Sequence, residues 1–198
     1  MTLSDIINVE KQLAFYGAYH ANKVNVLIHI ICVPMIVWSF QALVAPLHVP
    51  SFLPAYHHIF NDYMVFDVNY ATIMGVVYLA YYFLLEPVAA LLYTPQMIVT
   101  VLTATAFSQK SGYIPQAIAV HAFSWIAQFA GHGFAEGRAP ALLDNLLGAV
   151  VLAPFFVHLE ILFHIGYRPV MQKRINNAIG QEITKIRKAD GDKRRKAQ

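Results

Sequence analysis

The sequence predicts an all-α fold: a polytopic transmembrane helical bundle with about four spans, one further re-entrant or buried helix and an N-terminal interfacial helix. Hydrophobic residues make up 58% of the 198-residue chain and charged residues only 13%, whereas a soluble domain carries about 25% charged residues. The apolar residues also fall in runs that are long enough to cross a bilayer. We therefore expect one membrane-embedded domain over residues 1–170 and a basic cytoplasmic tail over residues 171–198.

Five apolar segments follow a short amphipathic stretch. Residues 1–22 space their apolar side chains as a helix does and predict the interfacial helix. The apolar segments cover about residues 24–46, 68–85, 88–107, 113–134 and 141–165. Residues 46–67 are rich in Pro, His and Asn and predict a linker. The tail from Arg168 predicts a helix at first and then, by its composition, a disordered end.

The charge distribution predicts the orientation of the chain. From Arg168 onward there are ten Lys and Arg against three Asp and Glu, whereas the preceding residues hold four against eight. Lys11 and Lys23 flank the first apolar segment, so the positive-inside rule places both termini in the cytoplasm. This orientation needs an even number of spans, most simply four. We expect the fourth segment to be the re-entrant or buried one, because it carries the most polar groups.

The basic tail predicts a lipid partner. Lys and Arg beside an apolar body are attracted to anionic lipid at the cytoplasmic leaflet. No nucleic-acid recognition motif accompanies the tail, so nucleic acid is not an expected partner. The residues KRRKAQ also resemble a dibasic retrieval signal for the endoplasmic reticulum, with a charge run held at the lipid surface as the alternative. Homo-oligomerisation is left open.

The fourth segment contains HAFSWIAQFAGHGFAE, where polar side chains interrupt an apolar run. His132 and Glu136 are four residues apart and share a helix face, and histidine with carboxylate is a common set of ligands for non-haem iron. A hydrogen bond at a helix end is the alternative. His121 lies about 16 Å from His132 along a straight helix. These two histidines share one metal only if the helix breaks at Gly131 or Gly133; otherwise they form a polar stripe paired with neighbouring helices.

A second polar group surrounds the start of the first apolar segment, in HANKVNVLIH. A break in the helix at Asn22 allows His20 and His29 to face the same way. Asn25 shares a helix face with His29. An ionisable residue inside a membrane is a functional hypothesis by default, and a buried histidine with one hydrogen bond is the alternative. Asp144, at the start of the fifth segment, either caps that helix or supports a metal ligand.

Several kinds of site are excluded by what the sequence lacks. It contains no G-x-G-x-x-G, P-loop, H-E-x-x-H or G-x-S-x-G motif. Its single cysteine excludes thiolate metal sites and iron–sulfur clusters, and leaves imidazole and carboxylate as ligands. Histidine-rich polar positions in a membrane setting indicate either lipid oxidation or ion movement.

Three blocks of the sequence resemble the 2-hydroxy fatty acid dioxygenase family of yeast. The blocks are QLAFYGAYHANKVNVLIHIICVP, SWIAQFAGHGFAEGRAPALLDN and VLAPFF, and the resemblance covers about residues 10–170. It implies an Fe(2+)-dependent enzyme of the endoplasmic reticulum membrane. In phytosphingosine breakdown, this enzyme would convert a 2-hydroxy fatty acid and O2 into a fatty acid one carbon shorter.

The resemblance also implies a set of site residues. His20, His29 and His132 are the first expected iron ligands. His121 comes next, and Glu136 is expected to act as a ligand or as an acid/base. The residues expected to orient the ligands or the substrate are Asn25, Gln128 and Asp144.

Two other functions are consistent with the residues alone. One is a non-catalytic membrane protein whose histidines relay protons or pass a metal ion, which predicts histidines along a continuous path. The other is a haem protein with histidines on paired helices. The dioxygenase interpretation predicts instead that the histidines converge at one depth.

Overall fold

The computed structural model describes residues 6–137 and 148–196, which are mostly helical. Seven α-helices in these residues are α1 (Val9–Tyr19), α2 (Lys23–Val44), α3 (Tyr70–Leu85), α4 (Pro87–Ser108), α5 (Tyr113–Ala130), α6 (Ala153–His164) and α7 (Pro169–Lys196). Two short π-helices are π1 (Gly131–Glu136), which continues α5, and π2 (Gly148–Leu152), which precedes α6. One β-hairpin joins β1 (His57–Asn61) to β2 (Met64–Asp67).

Capping side chains set where four of the helices begin. Asn8, Asn22 and Asn69 each accept a hydrogen bond from a backbone N–H in the first turn of α1, α2 and α3. Glu86 does the same for α4, whose first residue is Pro87. Asparagine and a carboxylate are good N-caps because their oxygens satisfy N–H groups that lack a partner within the helix. The cap at Asn22 separates α1 from α2 and leaves His20 in the short connection between them.

The main core lies where α3, α4 and α6 meet. Tyr82 is fully buried there and stacks on Phe155 with ring centroids 4.5 Å apart. Tyr93 meets Tyr82 edge to face at 5.5 Å. Aromatic rings bury a large area each, so this cluster holds the three helices together.

Two of the described helices, α2 and α4, are long and apolar enough to cross a membrane, with mean hydropathies of 2.1 and 1.5. Helix α3 and residues 150–164 are apolar but shorter. The four-span arrangement and the re-entrant fourth segment therefore stay predictions. Helix α5, which lies in the fourth apolar segment, is not one of the two candidate membrane spans among the described helices.

The hairpin departs from the all-α prediction. It lies within residues 46–67, where a linker was expected, and pairs His57 with Asp67 and Ile59 with Val65. The Asn61 side chain accepts a hydrogen bond from the N–H of Tyr63 at 2.9 Å and fixes the turn. Strands of five and four residues without an alternating apolar pattern are hard to distinguish from a linker by composition.

The C-terminal tail also differs from its prediction. A disordered end was expected, but α7 continues as a helix to Lys196 and packs along α1. Met171 and Ile175 on its inner face are buried in the main core. The guanidinium of Arg174 forms hydrogen bonds with both carboxylate oxygens of Glu10 on α1. The composition of the tail is that of a solvated segment, but its first apolar residues dock it on the bundle.

A buried carboxylate links the α3–α4 turn to the α6–α7 turn. Glu86, between α3 and α4, has a side chain that is 4% exposed and forms an ion pair with Arg168 at 2.7 Å. The hydroxyl of Tyr167 donates a hydrogen bond to the same carboxylate at 2.6 Å. Both partners lie in the turn between α6 and α7. Pairing of this kind is what makes burial of a charge tolerable.

Candidate metal centre

Three histidines from three separate elements meet at one point. His20 follows α1, His29 lies on α2 and His132 lies on π1, and one ring nitrogen of each lies within 4.8 Å of the others. The ring centroids are 4.4 Å apart for His20 and His29, 4.8 Å for His20 and His132, and 5.0 Å for His29 and His132. His29 and His132 are each only 3% exposed. We call this group the histidine triad.

Backbone carbonyls orient two rings of the triad. The Nδ1 of His20 lies 2.8 Å from the carbonyl oxygen of Tyr16, and the Nδ1 of His29 lies 2.9 Å from that of Asn25. A carbonyl only accepts hydrogen bonds, so Nδ1 must carry the proton in both rings and Nε2 keeps its lone pair. This arrangement is typical of metal-binding histidines, whose second nitrogen donates to a carbonyl or carboxylate.

The third ring has a nitrogen for which the described residues supply no partner. The Nδ1 of His132 is buried and has no hydrogen-bond partner within the described part of the chain. An unpaired buried polar atom is costly, and a metal bound through this nitrogen would remove that cost. Three imidazoles suit iron, zinc or copper, and they leave coordination positions open for a substrate. The residues therefore fit a metal, and the donor set does not identify which one.

The electrostatic environment keeps the first ring neutral. Burial, followed by the neighbouring His29, holds the pKa of His20 well below its usual value, although the carbonyl of Tyr16 acts in the opposite direction. Burial disfavours the charged imidazolium. His20 is therefore neutral at physiological pH, which is the form that binds a metal.

The π-helix brings His132 and Glu136 against the α1–α2 connection. A π-helical turn holds an extra residue and is frequent at functional sites. At its start, Gly131 packs so closely on α2 that a Cβ there would lie 2.6 Å from Oδ1 of Asn25. At its end, Gly137 has a φ of +68°, which favours glycine. The sequence shows these glycines but not the π-helical geometry.

Glu136 holds the connection that carries His20. Its carboxylate accepts hydrogen bonds from the backbone N–H of Ala21 at 3.1 Å, from that of Asn22 at 2.9 Å and from the Asn25 amide at 3.3 Å. The Asn22 side chain donates in return to the carbonyl of Ala135 at 2.7 Å. These contacts position the histidine triad. The expected role of Glu136 as a ligand or acid/base stays a prediction.

His121 lies apart from the triad, as the helix geometry between it and His132 implies. Its Nδ1 lies 2.9 Å from Oγ of Ser39, and the indole N–H of Trp125 donates to its Nε2 at 3.0 Å. Both ring nitrogens are thus occupied by protein partners. The structure does not bring this histidine together with the other three, and its expected ligand role gains no geometric support.

The remaining expected residues occupy different places. Asn25 is fully buried beside Glu136. Gln128 is 7% exposed, lies one helical turn before His132 and lines a cavity of about 210 Å³. Asp144 lies outside the described residues. Sequence reasoning gave no role to the carbonyls of Tyr16 and Asn25, although each precedes its histidine by four residues, the spacing of one helical turn.

Comparison with known proteins identifies the family. The sequence profile of the family described as "2-hydroxy-palmitic acid dioxygenase Mpo1-like" matches residues 6–165. The "2-hydroxy-palmitic acid dioxygenase MPO1" of Saccharomyces cerevisiae is 30% identical over 173 residues, which cover 87% of this chain and 90% of the yeast protein. No solved structure matches the chain. These two matches show that the chain belongs to the Mpo1-like family of 2-hydroxy-palmitic acid dioxygenases.

Proposed function

We propose that this protein is an Fe(2+)-dependent dioxygenase that converts 2-hydroxy fatty acids into fatty acids one carbon shorter by α-oxidation. In the cell this reaction would serve phytosphingosine and sphingolipid degradation. The convergence of His20, His29 and His132 is the observation that supports a metal-dependent oxidation most directly. Membership in a dioxygenase family supports the reaction class and the substrate class.

Each residue near the triad has a proposed task. The triad binds iron, which when bound supplies open coordination positions for the hydroxy acid and O2. The carbonyls of Tyr16 and Asn25 keep the first two imidazoles in the ligating tautomer. Glu136 and the Asn25 amide hold the connection that carries His20. Gln128 contacts the substrate, and Asp144 is proposed to support a ligand from its position at the start of the fifth apolar segment.

The convergence favours this function over the two alternatives. Proton or metal-ion passage requires histidines spaced along a path, whereas three of them meet within 4.8 Å. Haem ligation on paired helices uses two histidines, whereas three imidazoles converge here. The rings are held in place by backbone carbonyls, which suits a fixed site more than a relay.

We propose that the protein works in the endoplasmic reticulum membrane with both termini in the cytoplasm. Large apolar side chains are exposed around the outside of the bundle, among them Leu27, Ile31 and Leu91 at 56–62%. Contiguous apolar surface of this kind marks contact with lipid or protein. The basic tail supports the cytoplasmic placement, and the resemblance of the sequence to the yeast family is what favours the organelle.

The function is tested with iron-loaded protein purified anaerobically in detergent. We would add 2-hydroxypalmitate and O2 and measure the C15 acid by mass spectrometry. We expect product from the wild type and none from His29→Ala or His132→Ala, which should also lose iron. His164→Ala is the matched control, because His164 is exposed and bonds only the carbonyl of Glu160 among the contacts seen. A folded, iron-loaded wild type that yields no C15 acid would contradict the proposed reaction.

A further inference from the structure

A cavity of about 210 Å³ lies inside the apolar part of the bundle, next to the triad. It is bounded by α2, α3, α5 and the π2–α6 junction, with Val33, Val37, Phe40, Trp125, Gln128 and Ala153 among its lining residues. Its volume equals that of about seven water-sized groups. A methylene group is close to a water molecule in size, so the cavity accommodates roughly seven carbons of an alkyl chain.

One end of the cavity adjoins the histidine triad. Val33 lies four residues after His29 on α2, and Gln128 lies four residues before His132 on α5. Residues four apart on a helix are neighbours on one face. Val33 also belongs to a small cluster that includes Tyr16, whose ring stacks on His20 at 3.8 Å. The end of the cavity at Val33 and Gln128 therefore lies about one helical turn from the triad.

Gln128 places a hydrogen-bond donor without a partner at this end. The residue is 7% exposed, and its side-chain Nε2 is buried with no acceptor among the described residues. An unpaired buried amide costs free energy, and the rest of the lining shown here is largely apolar. The missing acceptor is consistent with a carboxylate or hydroxyl oxygen of a bound ligand.

The opposite end of the cavity opens on the outer apolar surface. Phe40 and Val150, which both line the cavity, are 45% and 43% exposed. Phe40 lies seven residues beyond Val33, which is about 10 Å along α2. His121 and Trp125 form part of this wall and are bonded to each other. A fatty acyl chain longer than the cavity would leave at Phe40 and continue along the outside of the bundle.

We propose that this cavity binds the carboxyl-proximal part of the acyl chain, with the Gln128 amide donating to the substrate carboxylate and the distal carbons leaving beside Phe40. The proposal rests on the proposed function, because it takes the 2-hydroxy fatty acid as ligand. It adds a binding subsite, an anchoring residue and a direction for the chain.

Fluorescence quenching tests the position of the chain without iron or O2. The protein has two tryptophans, so Trp38→Phe leaves Trp125 as a single reporter in the cavity wall. Trp38 is not a lining residue; it bonds Thr103 and packs on Phe107. We expect 6,7-dibromo-2-hydroxystearate to quench Trp125 saturably and in competition with 2-hydroxypalmitate. The 15,16-dibromo isomer should quench far less, because its bromines would lie outside.

Matched variants test the cavity and the anchor. Val33→Phe fills the cavity and should abolish the competitive quenching, whereas Val99→Phe on the outer face of α4 should leave it unchanged. Gln128→Met should lower the affinity for 2-hydroxypalmitate roughly 10- to 100-fold, as expected for one hydrogen bond to a charged group. The same variant should not change competition by hexadecan-2-ol, which has no oxygen at C1. It should also retain its iron.

The outcomes separate this inference from the proposed function. Product formation without competitive quenching, or equal quenching by both bromo isomers, would overturn the acyl subsite and leave the reaction standing. Competitive quenching from a wild type that forms no C15 acid would support the subsite and contradict the reaction. Equal loss of acid and alcohol binding in Gln128→Met would overturn the anchor. If Val33→Phe fails to fold, the isomer comparison decides the position of the chain on its own.

Discussion

The carboxylate of Glu136 accepts a hydrogen bond from the backbone N–H of Asn22 at 2.9 Å, across 114 residues of sequence. This bond and its neighbour at Ala21 hold the connection between α1 and α2 against the π-helix. His20 and His132 are carried by these two elements. The spacing between the two imidazoles therefore depends on a side chain that is not itself in the histidine triad.

Glu136→Gln should weaken iron binding while leaving the protein folded. In the glutamine an NH2 group replaces one carboxylate oxygen. This NH2 group would face a backbone N–H that also donates, so one of the two hydrogen bonds to Ala21 and Asn22 is lost. Removal of a group that positions metal ligands typically costs about 10- to 100-fold in affinity. Iron affinity measured by competition with a chelator checks the effect. Glu182→Gln, on an exposed surface pair of α7, is the control, and equal affinities in the two variants would contradict the positioning role.

Substitution of the two π-helix glycines by alanine should have very different effects on stability and iron content. A Cβ at Gly131 would meet Oδ1 of Asn25 at 2.6 Å, whereas a Cβ at Gly133 would meet nothing within 4 Å. Overpacking of this kind costs about 1–3 kcal/mol. We expect Gly131→Ala to lower the thermal midpoint and the iron content, and Gly133→Ala to change neither. Matching behaviour of the two variants would show that the close contact with α2 is not needed.

His121→Phe should leave iron content unchanged. Its imidazole bonds Ser39 and Trp125 rather than the triad, and about 16 Å of helix separates it from His132. Loss of these two hydrogen bonds should cost about 1–3 kcal/mol in the free energy of unfolding. Elemental analysis and a denaturation curve measure the two quantities. A loss of iron from a stably folded variant would instead restore His121 as a ligand.

The two ion pairs of Arg168 and Arg174 should differ in their contribution to stability. Arg168→Met leaves Glu86 buried without its cationic partner, and breaking such a pair costs up to about 3–5 kcal/mol. We expect a smaller figure because the Arg168 side chain is itself 50% exposed. Arg174→Met removes a more exposed pair with Glu10, and surface pairs contribute about 0–1 kcal/mol. Chemical denaturation of both variants measures the two losses of stability. A larger loss in Arg174→Met than in Arg168→Met would contradict the prediction.

The helices could be predicted from the sequence because long apolar runs and their breaks are local signals. The run at 24–46 became α2 (Lys23–Val44), and Asn22 and Glu86 mark the starts of helices as expected of capping residues. The hairpin at residues 57–67 was missed because its strands are short and lie in a polar stretch. The helical end of α7 was missed because its strongly charged composition is typical of a disordered segment, whereas in the structure the helix continues to Lys196.

The meeting of the three histidines was predictable from the sequence, but the contacts that support them were not. Spacing and resemblance named His20, His29 and His132, and the structure brings these three together. Contacts across more than a hundred residues, such as that between Glu136 and Asn22, have no local signal in one sequence. The π-helix is equally hidden, because an extra residue in a turn changes the direction of later side chains without changing their composition.

The extra residue in π1 affects how related sequences should be compared. A π-helical turn takes up one residue more than an α-helical turn for about the same rotation. Deleting one residue between His132 and Glu136 would therefore allow an ordinary α-helix to form, in which the side chains beyond the deletion keep their direction. In such a relative we expect the carboxylate to face the α1–α2 connection from three positions after its histidine instead of four. A search for the same site in related sequences should allow both spacings.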